Sequence, residues 1–271
     1  MTMIERPTMK AELLEGGVAI VKLTSMTMAP EFFDDLQAVF EKVSCDPLVK
    51  AVVLHSEGKA FSYGLDLPAA FAKYGEMFGG GLAGTRSGLL ALIGRLQASI
   101  NAVSDCPVPV IAAINGWCIG GGLDLIAACD IRLASRDSKF SLRETKVAIV
   151  ADLGSLQRLP AIIGKGNLRE LAFTGKDISA ERALRMGLVN DLFEKRDDVI
   201  KNAISMAQEI ASNPPLVVRG AKKVLDYCGD KSIRDGLEYV AAWNSAFLAS
   251  EDLAEAISSF IEKRKPDYKG R

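Results

Sequence analysis

Apolar positions in the first two-thirds of the chain fall into two alternating rhythms. Val18–Leu23 ("VAIVKL") alternates and is rich in β-branched residues, which predicts a strand. The next stretch, "PEFFDDLQAVFEKVSCD", changes to helical spacing. Pro30 suits its first turn, and Phe33, Leu36, Val39, Phe40 and Val43 share one face. "KAVVLHS" predicts a second strand, and glycines then crowd "YGEMFGGGLAGTRSG", which reads as a loop or a helix broken by one. A long helix over "LLALIGRLQASINAVSDC" stops before Pro107, and "VPVIAAIN", "DIRLAS" and "KFSL" predict further strands. Beyond about Gly154 helices take over, with one short strand at "LVNDLF". Ser179, Glu181 and Gly187 suit the cap, first turn and end of a helix over "SAERALRMG". From Val199 onward every segment has helical period, broken at Asn213-Pro214-Pro215. The pattern predicts an α/β core over residues 1–198 and an all-helical C-terminal module over 199–271. The apolar faces of "LEYVAAWNSAFLASEDLAEAISSFIEKR" are expected to bury against the core or another subunit.

Composition narrows the function classes. A formal net charge of −1 on 271 residues gives no field that would gather nucleic acid. No apolar run approaches a membrane span. The N-terminal stretch has acidic residues and no apolar core, so it does not read as a signal peptide. The five cysteines form no CxxC pair, which predicts reduced thiols and a cytoplasmic location. The single histidine, His55, lies in a strand exit and reads as structural, and there is no GxSxG elbow. No metal site is expected.

Three segments carry candidate chemistry. In "INGWCIGGGLDLIAACD" a strand runs into three glycines, and a helix starts among them. Its first N–H groups have no internal partner, and glycine lets a ligand approach them closely. Such a turn can hold developing negative charge on an oxygen. Asp124 is expected to face the same space. "EGKAFSYGLDL" repeats the pattern, leaving a strand through Gly64 with Asp66 two residues on, so two turns could each supply one amide to a carbonyl oxygen. The third segment, "SLRETKVAIVADLGSLQRLP", sets Glu144 and Asp152 around an apolar stretch, Val147–Ala151, that is expected to be buried. A buried carboxylate has a raised pKa and can exchange protons near neutrality. The plainer alternatives are that Asp152 caps the following helix and that Glu144 pairs with Arg143 or Lys146.

These segments, with "LAFTGKDISAERALRMGLVNDLF" and the terminal "FIEKRKP", resemble the crotonase (enoyl-CoA hydratase/isomerase) superfamily over nearly the whole chain. The resemblance implies a spiral of ββα turns with a helical trimerisation module. It implies acyl-CoA thioester substrates, assembly into trimers or hexamers, and no cofactor beyond the coenzyme A of the substrate. It places the oxyanion hole at the N–H groups of Leu65 and Gly121, and thioester contacts at Ala60, Ser62, Asp66, Leu67, Phe260 and Lys263. Hydratases of the superfamily use two glutamates, and the matching positions here are Asp124 and Glu144. An Asp, a Glu twenty residues on and an Asp eight beyond that resemble instead the 3,5-dienoyl-CoA to 2,4-dienoyl-CoA isomerases of fatty acid β-oxidation. In that branch Asp152 would take a proton at C2, Glu144 would return one at C6, and Asp124 would position or polarise them. The alternatives are hydration of 2-trans-enoyl-CoA and non-catalytic acyl-CoA binding.

Overall fold

The computed structural model describes residues 1–271. The ten strands are β1 (Thr2–Glu5), β2 (Met9–Leu13), β3 (Val18–Leu23), β4 (Ala51–Ser56), β5 (Val110–Ile114), β6 (Trp117–Ile119), β7 (Ile131–Ser135), β8 (Lys139–Ser141), β9 (Asp177–Ser179) and β10 (Asp191–Phe193). The ten helices are α1 (Pro30–Cys45), α2 (Leu67–Phe78), α3 (Ala83–Ser104), α4 (Gly121–Ala127), α5 (Ser155–Thr174), α6 (Ala180–Arg185), α7 (Arg196–Ala211), α8 (Pro215–Cys228), α9 (Ile233–Phe247) and α10 (Glu251–Glu262).

Two sheets form the walls of a spiral. The larger has the order β1-β2-β3-β4-β5-β7-β10, with every pairing from β3 onward parallel. The smaller has the order β6-β8-β9. Isolated parallel bridges from Met28 to Leu65 and from Ser62 to Cys118 continue the smaller wall toward the earlier turns. Each turn thus leaves a strand of the large sheet, crosses the small wall and enters a helix: β5, β6, α4, then β7, β8, α5. Parallel strands buried on both faces read as unbroken apolar runs, as in β4 and β5. One face packs on α1, α3 and α5 around Phe32, Phe33, Phe40, Phe61 and Phe140.

The other face meets α7, whose Val199, Ala203, Ala207 and Ala211 lie on Ile20, Val53, Ile111 and Leu133. This corrects the expected boundary at residue 199. Small residues at helical spacing let α7 sit close on the sheet, so it belongs to the core, and the helical module begins with α8. The glycine-rich stretch contains the end of α2, a short turn and the start of α3, so the expected broken helix is two helices. Lys222 of α8, almost fully buried, reaches Asp130 at 2.7 Å, and the same carboxylate accepts the Val110 N–H at 2.7 Å. That pair ties α8 to the sheet. The apolar faces of α9 and α10 are not buried in the core: Leu237, Leu248 and Ile261 are exposed, and Phe260 is 86% exposed.

Candidate active site

The two glycine turns meet. Gly64 has φ +81°, and a methyl group placed on it would stand 2.8 Å from the Ile119 carbonyl oxygen and 3.3 Å from the Gly121 nitrogen. Only glycine lets the turns approach so closely. The Gly64 N–H is held by Ser62 Oγ at 3.1 Å, and the Gly64 carbonyl accepts the Met28 N–H at 2.9 Å. Asp66 then caps α2, its Oδ1 accepting the Ala69 N–H at 3.0 Å. Between these fixed points the Leu65 N–H has no acceptor in the protein. Gly121 is the first residue of α4, behind Gly120 at φ +54°, and its N–H is one of the helix's unpartnered donors. Two free amides on touching turns form a site for an oxygen that gains negative charge.

Beside Leu65 opens a cavity of about 620 Å³. Phe71, Tyr74 and Phe78 of α2 form one wall, and Leu89, Leu92, Ile93 and Leu96 of α3 a second. The segment Val147–Val150 with Asp152 and Leu153 forms a third, and Leu67 also lines the cavity. Asp152 is its only carboxylate. The expected burial of Val147–Ala151 holds only for Ala151. Val147, Ile149 and Val150 are exposed because their apolar surface faces this open cavity rather than the core.

Asp124 and Asp152 lie close enough to raise the pKa of Glu144, and Asp152 that of Asp124, but the three carboxylates have different surroundings. Burial raises the pKa of half-buried Asp152. It makes no cap: α5 begins at Ser155 behind Gly154, and the Asp152 carboxylate accepts from none of its first N–H groups. Glu144 heads a short 3-10 turn, Glu144–Val147, and its Oε2 is buried without a hydrogen-bond partner. Burial pushes its pKa up to about 7, with smaller contributions from Asp124 and Asp152. It pairs with neither Arg143, which forks onto Asp177 at 2.7 Å, nor Lys146. Glu144 sits against Gly120, where an added methyl would be 3.3 Å from its Oε1, and it is not on the cavity wall with Asp152. Asp124 does not face the cavity as expected. It is 1% exposed, and its Oδ1 accepts the Ser155 N–H at 2.6 Å, so it caps α5 from a distant segment. Burial raises its pKa against that hydrogen bond.

Of the remaining expected contacts, Ala60 is fully buried beside Gly116, and Ser62 is committed to Gly64. Phe260 and Lys263 lie at the end of α10 and do not line the cavity of this chain. The cavity walls of α2 and α3 were missed in the sequence. The signal was the spacing of Phe71, Tyr74 and Phe78, obscured by the glycines that follow. His55 is buried beside the Ser56 carbonyl, and burial lowers its pKa.

Residues 14–271 match the family model described as Enoyl-CoA hydratase/isomerase. A mitochondrial Delta(3,5)-Delta(2,4)-dienoyl-CoA isomerase of Dictyostelium discoideum is 43% identical over 90% of this chain and 83% of its own. A peroxisomal protein of the same name from Arabidopsis thaliana is 42% identical over 88% and 86%. The crystal structure of an enoyl-CoA hydratase from Bacillus anthracis superposes with a TM-score of 0.87 at 29% identity, covering 97% of this chain and all of that one. The compartments in the relatives' names overturn the expected cytoplasmic location. Cysteine spacing carries no signal that chooses among reducing compartments.

Proposed function

The chain belongs to the enoyl-CoA hydratase/isomerase family, and from that premise we propose that it is an isomerase converting 3,5-dienoyl-CoA to 2,4-dienoyl-CoA. The observation that carries this reading is Asp152, a lone carboxylate on an apolar cavity wall beside two free amides. The thioester carbonyl oxygen accepts hydrogen bonds from the Leu65 and Gly121 N–H groups. Asp152, ionised, takes a proton from C2. The C–H electron pair becomes part of a conjugated trienolate, C1 to C6, whose charge rests largely on that oxygen. Glu144, protonated, gives its proton to C6, and the double bonds settle at C2–C3 and C4–C5. Asp152 ends protonated and Glu144 ionised, and exchange of one proton with solvent or between them restores the start.

Unequal carboxylates suit this division of labour. A Glu144 pKa of about 7 keeps a proton available near neutrality. Asp124 acts as the positioning carboxylate, since its oxygen is committed to the Ser155 N–H. Ser62 and Asp66 hold the oxyanion turn, Leu67 lines the acyl cavity, and Phe260 and Lys263 complete the proposed thioester contacts, whereas Ala60 is fully buried. Phe260 and Lys263 would act from the C-terminal module of a self-associated trimer or hexamer. No further cofactor is required in this scheme.

Assaying purified protein against 3,5-dienoyl-CoA and 2-trans-enoyl-CoA side by side tests the reading. Isomerisation builds a diene conjugated with the thioester and raises near-ultraviolet absorbance. Hydration removes conjugation and lowers it. Turnover of the enoyl substrate alone would overturn the proposal.

A further inference from the structure

The proposed base sits on a stretch that the backbone does not hold. Val150, Ala151, Asp152 and Leu153 make no backbone–backbone hydrogen bond. The segment enters through Ala148 at φ +60° and leaves through Gly154 at φ +124°. Neither end continues a helix or strand through the base. An irregular segment of this kind takes its position from whatever side chains bind its carbonyls.

Two do. Gln97 of α3 donates Nε2–H to the Asp152 carbonyl at 2.7 Å. Arg158 of α5 reaches the Leu153 carbonyl at 3.5 Å, a much weaker contact. Arg158 is itself anchored on α3, where Asn101 Oδ1 accepts from it at 2.5 Å. Gln97 and Asn101 are four residues apart on one edge of α3. The neighbouring face carries Leu92, Ile93 and Leu96 into the cavity. One helix therefore shapes the acyl cavity and grips the segment that carries the base.

We infer that Gln97 is a positioning residue for Asp152, its amide fixing the backbone of the base against the helix that lines the acyl cavity. The inference rests on the isomerase reading. Gln97 touches no reacting atom, and its side chain is absent from the cavity wall, so its loss should leave substrate affinity alone. It should instead misplace a proton acceptor, and small misplacements are costly in rate.

The test is Gln97→Met, which keeps length and removes the donor, assayed on 3,5-dienoyl-CoA beside wild type. Gln97→Asn, which keeps the amide but shortens its reach, is the second variant. Both should lower kcat by about tenfold with KM changed less than twofold. Combined with Asp152→Asn, Gln97→Met should cost little more, because the group it positions is already gone. Wild-type kcat in both variants, or a rise in KM with kcat intact, overturns the inference while leaving the isomerase reading standing. If Gln97→Met does not fold, Gln97→Asn decides alone. A wild-type protein that does not isomerise the dienoyl substrate defeats the parent reading and this inference with it.

Discussion

Glu144 and Asp152 differ in what surrounds them, and that difference can be measured. Asp152→Asn keeps size and removes the proton acceptor, so isomerisation should fall at least about a hundredfold in kcat while thioester affinity, measured by titration calorimetry, stays close to wild type. Near-normal isomerisation would remove Asp152 from the mechanism. Glu144 must be protonated to act as the acid, and its pKa is pushed up to about 7. Wild-type kcat should therefore decline as pH rises through about 7, and the decline should vanish in the residual activity of Glu144→Gln. The same burial has a consequence for stability. A carboxyl group whose pKa is raised in the folded state stabilises the fold below its unfolded pKa and loses that advantage as pH rises through the folded value. Glu144→Gln should thus be more stable than wild type at pH 8, by about 3 kcal/mol in urea unfolding. The gap should close toward pH 4. The spacing of the three carboxylates was legible in the chain. The capping of α5 by Asp124 was not, because its partner, the Ser155 N–H, lies 31 residues away and joins it only when two turns of the spiral stack.

Among the elements, those with a period were readable and those without one were not. The 16-residue α1 buries Phe33, Leu36, Val39, Phe40 and Val43, the face its spacing gave. Ser179 caps α6 by accepting the Arg182 N–H at 3.3 Å. The three-residue strands β6 and β9 are too short to show alternation, and they exist only through pairing, β9 with β8 and β6 with β8 and Ser62. The N-terminal strands β1 and β2 went unread for a related reason: β1 is a largely solvated edge strand and β2 buries only Met9 and Ala11, so both carry a weak apolar signal. The glycine turns were legible as turns, and the structure adds that they touch. Gly64→Ala meets two penalties, a left-handed φ of +81° and a methyl 2.8 Å from the Ile119 carbonyl oxygen. It should destabilise the protein by about 1–3 kcal/mol. Because relief of the clash must part the two turns, it should also lower kcat on the dienoyl substrate in protein that remains folded. Wild-type kcat in folded Gly64→Ala would mean that the Leu65 and Gly121 amides do not act together.

At the scale of the whole molecule, the helical tail shows where one chain's sequence stops being informative. Its period announced helices, but period alone does not say which surface a helix covers. The alanines of α7 marked it for the sheet, while larger residues on α9 and α10 remained for something else. Leu237 of α9 and Leu248 at its C-terminal end, and Ile257, Phe260 and Ile261 on α10, stand in solvent in the single chain. Trp243 of α9 packs against Gly220 of α8, its ring centroid 4.6 Å from that of Phe247, and these contacts use none of those exposed residues. A set of exposed apolar side chains of this size on adjoining helices marks an interaction surface, and the proposed self-association would cover it with further copies of the chain. Ile257→Glu places a charge on that face of α10 without touching the cavity or the oxyanion turn. In sedimentation velocity at micromolar concentration, wild type should run as a trimer or hexamer and Ile257→Glu should shift toward monomer. If Phe260 and Lys263 reach a thioester only across the assembly, KM for the dienoyl substrate should rise with dissociation while the circular dichroism spectrum stays unchanged. A wild-type monomer at that concentration would remove self-association from the proposal, and with it the contacts assigned to Phe260 and Lys263.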